Sequence, residues 1–223
     1  MDEAWWELAD FGTYHHTDAE GSRRTRIRVA SLFHMALSYT DDVGHVPRTV
    51  LDAGCGLGFI SAVMSRRYQE ARIVGADNFS DESLESSTAA KALENMRLLN
   101  LPSNFEFVKQ DLSLLSFGDA SFDTIVTSLV YHNLKASKTG GIRELIRVLS
   151  PGGYLLFGDL LYPEDQIALF NPLKAERQFS PEGKYLKHYR LLVLKKQESG
   201  LRYALQLLPA LNSHWKPTLQ GSA

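Results

Sequence analysis

The chain has 223 residues, 44% hydrophobic and 22% charged, and its 24 basic against 26 acidic side chains leave a net charge of −2, a globular balance that argues against a general nucleic-acid binder. A single cysteine, Cys55, excludes an internal disulfide framework and a cysteine-built zinc site. No apolar run approaches the roughly 18–20 residues of a membrane-spanning helix, and the opening MDEAWWELADF is acidic and aromatic where a signal peptide is basic and then apolar, so no membrane partner and a cytoplasmic location are expected.

In chain order, Val29, Leu32, Phe33, Ala36 and Leu37 recur at helical spacing and predict a helical N-terminal cap over residues 1–46. Residues 49–52 form a short apolar strand leading into Gly54-Cys55-Gly56-Leu57-Gly58 and a helix bearing Phe59, Ile60, Val63 and Met64. A second strand over 72–76 precedes a helix over 81–99, striped by Leu84, Thr88, Ala92 and Met96 and stopped at Asn100-Leu101-Pro102. Third and fourth strands fall at 105–108 and 123–128. A helix through Ile142, Leu145, Ile146 and Leu149 ends at Ser150-Pro151-Gly152-Gly153, and residues 154–157 make a fifth strand. Beyond Asp159 the pattern weakens to a helix at 164–169, a late strand at 189–194 and an amphipathic tail helix at 201–211, broken at Pro209.

Strands separated by helices imply right-handed βαβ units: a doubly wound, mostly parallel α/β sheet with helices on both faces. Such sheets bind ligands outside the carboxyl ends of their strands.

Three glycines in the first strand-to-helix turn, Gly54, Gly56 and Gly58, allow a sharp turn and close approach of a ligand to the backbone. A nicotinamide-binding turn has the spacing G-x-G-x-x-G, but Phe59 stands three residues after Gly56. Asp52, just before the turn, suits a ligand with a positive amino group better than a pyrophosphate. Asp77, 23 residues after Gly54 and followed by Asn78, ends the second strand where a carboxylate can accept from both ribose hydroxyls. Asp111, followed by Leu112, ends the third strand and suits the exocyclic amine of adenine. Acidic groups at three successive strand ends, with the glycine turn, point to one adenosine ligand.

With these residues on the page, the chain resembles the class I S-adenosylmethionine-dependent methyltransferases. VLDAGCGLG is similar to their first motif, VGAD to their second-strand acidic position, VKQDL to the adenine-facing one and RELIRVLSPGGYLLFGD to their late helix, loop and fifth strand, over residues 48–160. FDTIVTSLVYHNL and the N-terminal WWELADFG resemble the methyltransferase type 11, ubiquinone-biosynthesis-like group. The resemblance implies a Rossmann-like sheet with an antiparallel late strand and S-adenosylmethionine as cofactor, held by Asp52, Gly54, Gly56, Gly58, Asp77, Asn78, Asp111, Leu112 and Ser128. It implies a methyl group passed to a small-molecule acceptor. The end of the fourth strand lies beside the methyl in that architecture, which makes His132 a candidate base and Asn133 a candidate positioning group.

The resemblance also implies a sixth strand, expected here to be short, displaced or missing. The division expected is a cap over 1–46, a cofactor domain over 47–196 and a tail over 197–223. A protein or RNA acceptor, a non-catalytic binding or scaffold role, and a nicotinamide oxidoreductase are the competing readings. His15 and His16 could sit in a lid, without the partners a metal requires. Arg23, Arg24, Arg26 and Arg28 are expected to be a solvated helix face or else a surface for an acidic substrate. Trp5 and Trp6 are expected to be core or interface anchors.

Overall fold

The computed structural model describes residues 5–14, 17–80, 87–102, 104–134, 137–161, 170–182 and 185–198. Seven strands, β1 (Thr49–Ala53), β2 (Arg72–Asp77), β3 (Phe105–Lys109), β4 (Phe122–Ser128), β5 (Leu149–Leu160), β6 (Leu173–Phe179) and β7 (Tyr189–Lys196), form one sheet in the order β3-β2-β1-β4-β5-β7-β6. The first five in that order are parallel, whereas β7 runs antiparallel to both β5 and β6. Because β1 lies between β2 and β4, the winding reverses there, and such reversals open a crevice at the carboxyl ends of the strands. Ala53 pairs with Ala76, Asp77 with Lys109 and Ser128 with Gly158, so those ends share one edge.

Period-two alternation sends neighbouring strand residues to opposite faces. Val50, Ile73, Val126, Leu156 and Val193 face a cluster with α1 (Ala19–Asp42), α2 (Phe59–Arg67) and α3 (Ala89–Leu98). Leu51, Val74, Ile125, Leu155 and Leu194 face the other way, against α4 (Lys138–Val148). This is the doubly wound α/β sheet with helices on both faces and an antiparallel late strand. Among the described residues no helix is long and apolar enough to cross a membrane.

Local chemistry sets the helix starts. Asp18 caps α1 through Gly21 N (2.7 Å), and Thr88 caps α3 through Lys91 N (3.1 Å). Of the helix expected at 81–99, residues 89–98 form α3 and residues 87 and 88 precede it, while residues 81–86, Leu84 among them, lie outside the described residues. The helix expected at 164–169, the tail beyond residue 198 and the pair His15 and His16 also lie outside them.

One expectation needs correction, and one point left open by the sequence is decided. Ser150-Pro151-Gly152-Gly153 does not separate helix from strand: β5 begins at Leu149, directly after α4. Its pairing slips from Phe122↔Leu149 to Thr124↔Tyr154, with Gly152 at φ +80°, so the proline and glycines form an irregularity inside the strand. The sixth strand is present as β6, seven residues at the open edge of the sheet. Its sequence LKAERQF lacks apolar alternation, because an edge strand buries little, and a register shift between Ala175 and Arg177 interrupts what period there is.

Candidate functional site

The glycine turn occupies left-handed backbone at Gly54 (φ +80°), Gly56 (φ +51°) and Gly58 (φ +88°), where a side chain is disfavoured. At Gly54 a Cβ would also overlap the side chain of Val130, just after β4. The turn is stitched to β2: Gly54 N donates to the Ala76 carbonyl (2.8 Å), and Gly56 N donates to Asp77 Oδ2 (2.9 Å). Asp77 Oδ1 accepts from Phe79 N (2.7 Å), so this carboxylate braces the turn from the end of β2.

Asp52 sits beneath the turn, 1% exposed, and accepts a 2.6 Å hydrogen bond from Ser61 Oγ on α2. Burial raises its carboxyl to about pKa 7, with Ser61 opposing the rise and the Asp77 charge adding to it. Asn78 is exposed and turns back through its side chain onto Ser80 N (3.0 Å). Asp111 lies exposed just beyond β3, and its Oδ1 accepts from both Ser113 N (2.8 Å) and Ser113 Oγ (2.7 Å), which lowers its pKa. Leu112 beside it is buried.

On the other side of β1, β4 ends at Ser128, whose hydroxyl meets Tyr189 Oη (3.0 Å) across Gly158. Only glycine at 158 leaves room for the Tyr189 ring. A 3-10 turn then carries Tyr131, His132 and Asn133. His132 Nδ1 lies 2.6 Å from Asp159 Oδ1, and its backbone N donates to Asp159 Oδ2 (3.1 Å). Asp159, near the end of β5, is 1% exposed, while His132 and Asn133 are exposed, the Asn133 side chain with no partner among the described residues.

The N-terminal segment passes over the turn as a strap. Asn95 on α3 donates to the carbonyls of Asp10 (2.8 Å) and Leu57 (3.0 Å), which ties the strap to the turn, and Trp6 and Phe11 pack edge-on against Phe59. Trp6 is thus a core anchor, and Trp5 stacks under Arg66. Tyr14 N donates to Ser22 Oγ (2.9 Å), which ties the end of the strap to the start of α1, and burial raises the pKa of the Tyr14 hydroxyl. The arginine run does not form one face. Arg23 pairs with Glu7 (2.6 Å), Arg24 and Arg28 flank the Tyr185 ring, and Arg26 is buried.

Asp52, the glycine turn, Asp77, Asn78 and Asp111 therefore share one edge of the sheet with Ser128, His132 and Asn133. Sequence reasoning missed Asp159, Ser61 and Tyr189. Asp159 carried the same signal as Asp77, an acid closing an apolar strand; the other two carried none, because their partners are remote in sequence.

Residues 51–157 match the sequence model of a family described as "Methyltransferase domain". The chain is 30% identical over 128 residues to the demethylmenaquinone methyltransferase of Deinococcus radiodurans, covering 57% of this chain and 48% of that protein. It is 28% identical over 155 residues to the malonyl-[acyl-carrier protein] O-methyltransferase of Legionella pneumophila, covering 69% of this chain and 50% of that protein. The chain thus spans about half the length of these curated relatives. Among solved structures, the N-methyltransferase NodS of Bradyrhizobium japonicum in complex with S-adenosyl-L-homocysteine superimposes with a TM-score of 0.63 at 18% identity, over 86% of this chain and 95% of that one, a likeness of fold. The family match falls on the strands that build this edge, so residues 51–157 are similar in sequence to methyltransferase domains and, in fold, to solved methyltransferases.

Proposed function

We propose that the protein transfers a methyl group from S-adenosylmethionine to a small-molecule acceptor whose nucleophile gives up a proton to His132. The observation that carries this reading is the contact between His132 Nδ1 and the buried carboxylate of Asp159 (2.6 Å), in a turn directly beyond β4.

The residues present fit the cofactor. Left-handed glycines keep side chains off the turn, the Asp52 and Asp77 carboxylates suit an ammonium and a diol, and Asp111 offers an acceptor for an exocyclic amine. When bound, the cofactor supplies an already activated methyl on a sulfonium, so the protein has only to align the reactants and manage a proton. Asp159 accepts from Nδ1–H, which leaves the other ring nitrogen as the base. Its second oxygen holds the His132 backbone, so ring and main chain are fixed by one carboxylate. Asn133 stands exposed beside it as a group able to orient an acceptor.

The relatives' names place the methyl on different acceptors, a demethylmenaquinone in one and a malonyl-carrier protein in another. Their variety supports a small or carrier-borne acceptor without choosing between carbon and oxygen.

His132→Ala is expected to leave S-adenosylhomocysteine affinity within about twofold while lowering turnover by roughly 10²- to 10⁴-fold. Turnover would be followed with labelled S-adenosylmethionine on acceptors found by screening phenols, carboxylic acids and amines. The parent should also lose rate on the acid side, because a protonated ring cannot accept a proton. Unchanged turnover and KM in the variant would remove His132 from the mechanism.

A further inference from the structure

Tyr189 opens β7 at the carboxyl edge of the sheet and is fully buried, yet the reading above gives its hydroxyl no part. Its ring lies over Gly158, where an added Cβ would collide with the hydroxyl oxygen. Oη thereby reaches across β5 to within 3.0 Å of Ser128 Oγ at the end of β4.

The chain is fixed on both sides of this contact. Tyr185 Oη donates to the Gly21 carbonyl (2.7 Å) and lies 2.8 Å from Thr25 Oγ1, which fastens the approach to β7 onto α1. Tyr189 N then donates to the Leu186 carbonyl (2.8 Å). After Ser128, Leu129 holds left-handed backbone at φ +58°, pinned by its N–H on the Gly158 carbonyl (2.9 Å). A leucine kept in that region marks a position that its surroundings impose.

Burial sets the direction of the hydrogen bond. It raises the pKa of the Tyr189 phenol, so the group keeps a proton, and a buried O–H requires an acceptor. Among the described residues Ser128 Oγ is the one acceptor in reach. Were Ser128 the donor, the phenol O–H would stay buried and unpaired, which costs more than leaving a proton free on the half-buried serine. Tyr189 therefore donates. The Ser128 proton has no other partner among the described residues and remains available to a ligand at the strand ends.

Ser128 closes β4, and His132 stands four residues on, in the turn that follows. A cationic sulfonium is a poor partner for a hydrogen-bond donor, so the donor at this place serves the methyl acceptor. We propose that Tyr189 is a positioning residue, which holds the Ser128 hydroxyl as a donor to a carbonyl, carboxylate or phenolic oxygen of the acceptor. The inference rests on the acceptor reading above and deepens it by naming the chemical class the site takes.

The test is a double-mutant cycle on the full chain: Tyr189→Phe, Ser128→Ala and both together. Each is read as kcat/KM on a panel of phenols, carboxylic acids and alkylamines, and as S-adenosylhomocysteine affinity by calorimetry. Ser128→Ala is expected to lower kcat/KM by about 5- to 50-fold, chiefly through KM, and Tyr189→Phe by about 3- to 10-fold. The double variant should fall no further than Ser128→Ala, within about twofold, because Tyr189 acts through Ser128. Affinity for S-adenosylhomocysteine should stay within about twofold throughout. Losses that multiply in the double variant would show two residues acting separately, as general loosening also would, and overturn the proposal. So would parent kinetics in Tyr189→Phe, a loss of S-adenosylhomocysteine affinity as large as that of kcat/KM, or an alkylamine turned over as well as the oxygen-bearing members. Should Tyr189→Phe not fold, Ser128→Ala carries the test: losing the parent's preference for oxygen-bearing members over alkylamines supports the proposal, and keeping it overturns it. A parent that binds S-adenosylhomocysteine but turns over no member of the panel would overturn the acceptor reading itself, and the proposal with it.

Discussion

Asp52 is the residue whose environment most changes its chemistry. Its carboxyl, raised to about pKa 7 by burial, keeps its proton in the folded protein, whereas the unfolded chain releases it near pH 4. Between those values the folded state binds more protons, so this group removes stability as pH rises from about 4 to about 7. Asp52→Asn should therefore gain stability relative to the parent across that window, by on the order of a few kcal/mol at the upper end. Urea midpoints at pH 4 and pH 7 measure it, and a difference that stays constant with pH would show that Asp52 is ionised throughout. The sign reverses for ligand: an ammonium favours the ionised carboxylate, so S-adenosylhomocysteine should bind the parent more tightly from pH 6 to pH 8, with the trend flattened in Asp52→Asn. Asp77 and Asp111 meet backbone amides instead of burial, which shows how position at a strand end leaves the electrostatics open.

Among the elements, α1 carries the buried Arg26, which holds the Phe11 carbonyl of the strap before it, so the placing of that strap depends on how α1 docks. Its apolar face packs into the cluster with α2, and its last turn is braced by polar contacts as well. Asp41 accepts from Arg67 Nη2 (2.6 Å), Arg67 Nε (3.2 Å) and Tyr68 Oη (2.8 Å), which joins the C-terminal ends of α1 and α2. Arg67 and Asp41 are about 26% and 30% exposed, so solvent screens the pair and the hydrogen bonds contribute more than the charges. Asp41→Ala is expected to cost about 1–3 kcal/mol, visible as a lower urea midpoint at unchanged slope. A neutral result would assign the docking of α1 to apolar contacts alone. The brace is invisible in the sequence because Asp41 and Arg67 stand 26 residues apart with β1 between them.

At the scale of the molecule, the sheet brings residues from five strand ends to a single edge, beside the strap and the helices packed on it. A ligand that bridges them should stabilise the whole domain by mass action, since the unfolded chain holds no such edge. At one hundred times its Kd, S-adenosylhomocysteine should contribute about 2.7 kcal/mol, which raises Tm by about 5–10 °C for a domain of this size. NADH at the same concentration should leave Tm unchanged. Equal shifts from both ligands, or none from either, would contradict the choice made from the glycine spacing.

Some of this was legible in the amino-acid sequence because its causes are local. The βαβ order follows from short apolar runs and helical stripes, the turn from three glycines, and the strand-end acids from their places beside those runs. The sequence by itself thus determined the sheet, the edge at which its strand-end acids gather and the family resemblance. It did not determine β6, whose edge position leaves no apolar period, nor the start of β5, where proline and glycines stand within a slipped register. The pairing of His132 with Asp159 and the burial of Arg26 were likewise decided only by the tertiary structure. Each depends on partners brought together by strand pairing or helix docking, and a side chain's charge, burial and hydrogen bonds are properties of those neighbours as much as of the residue itself.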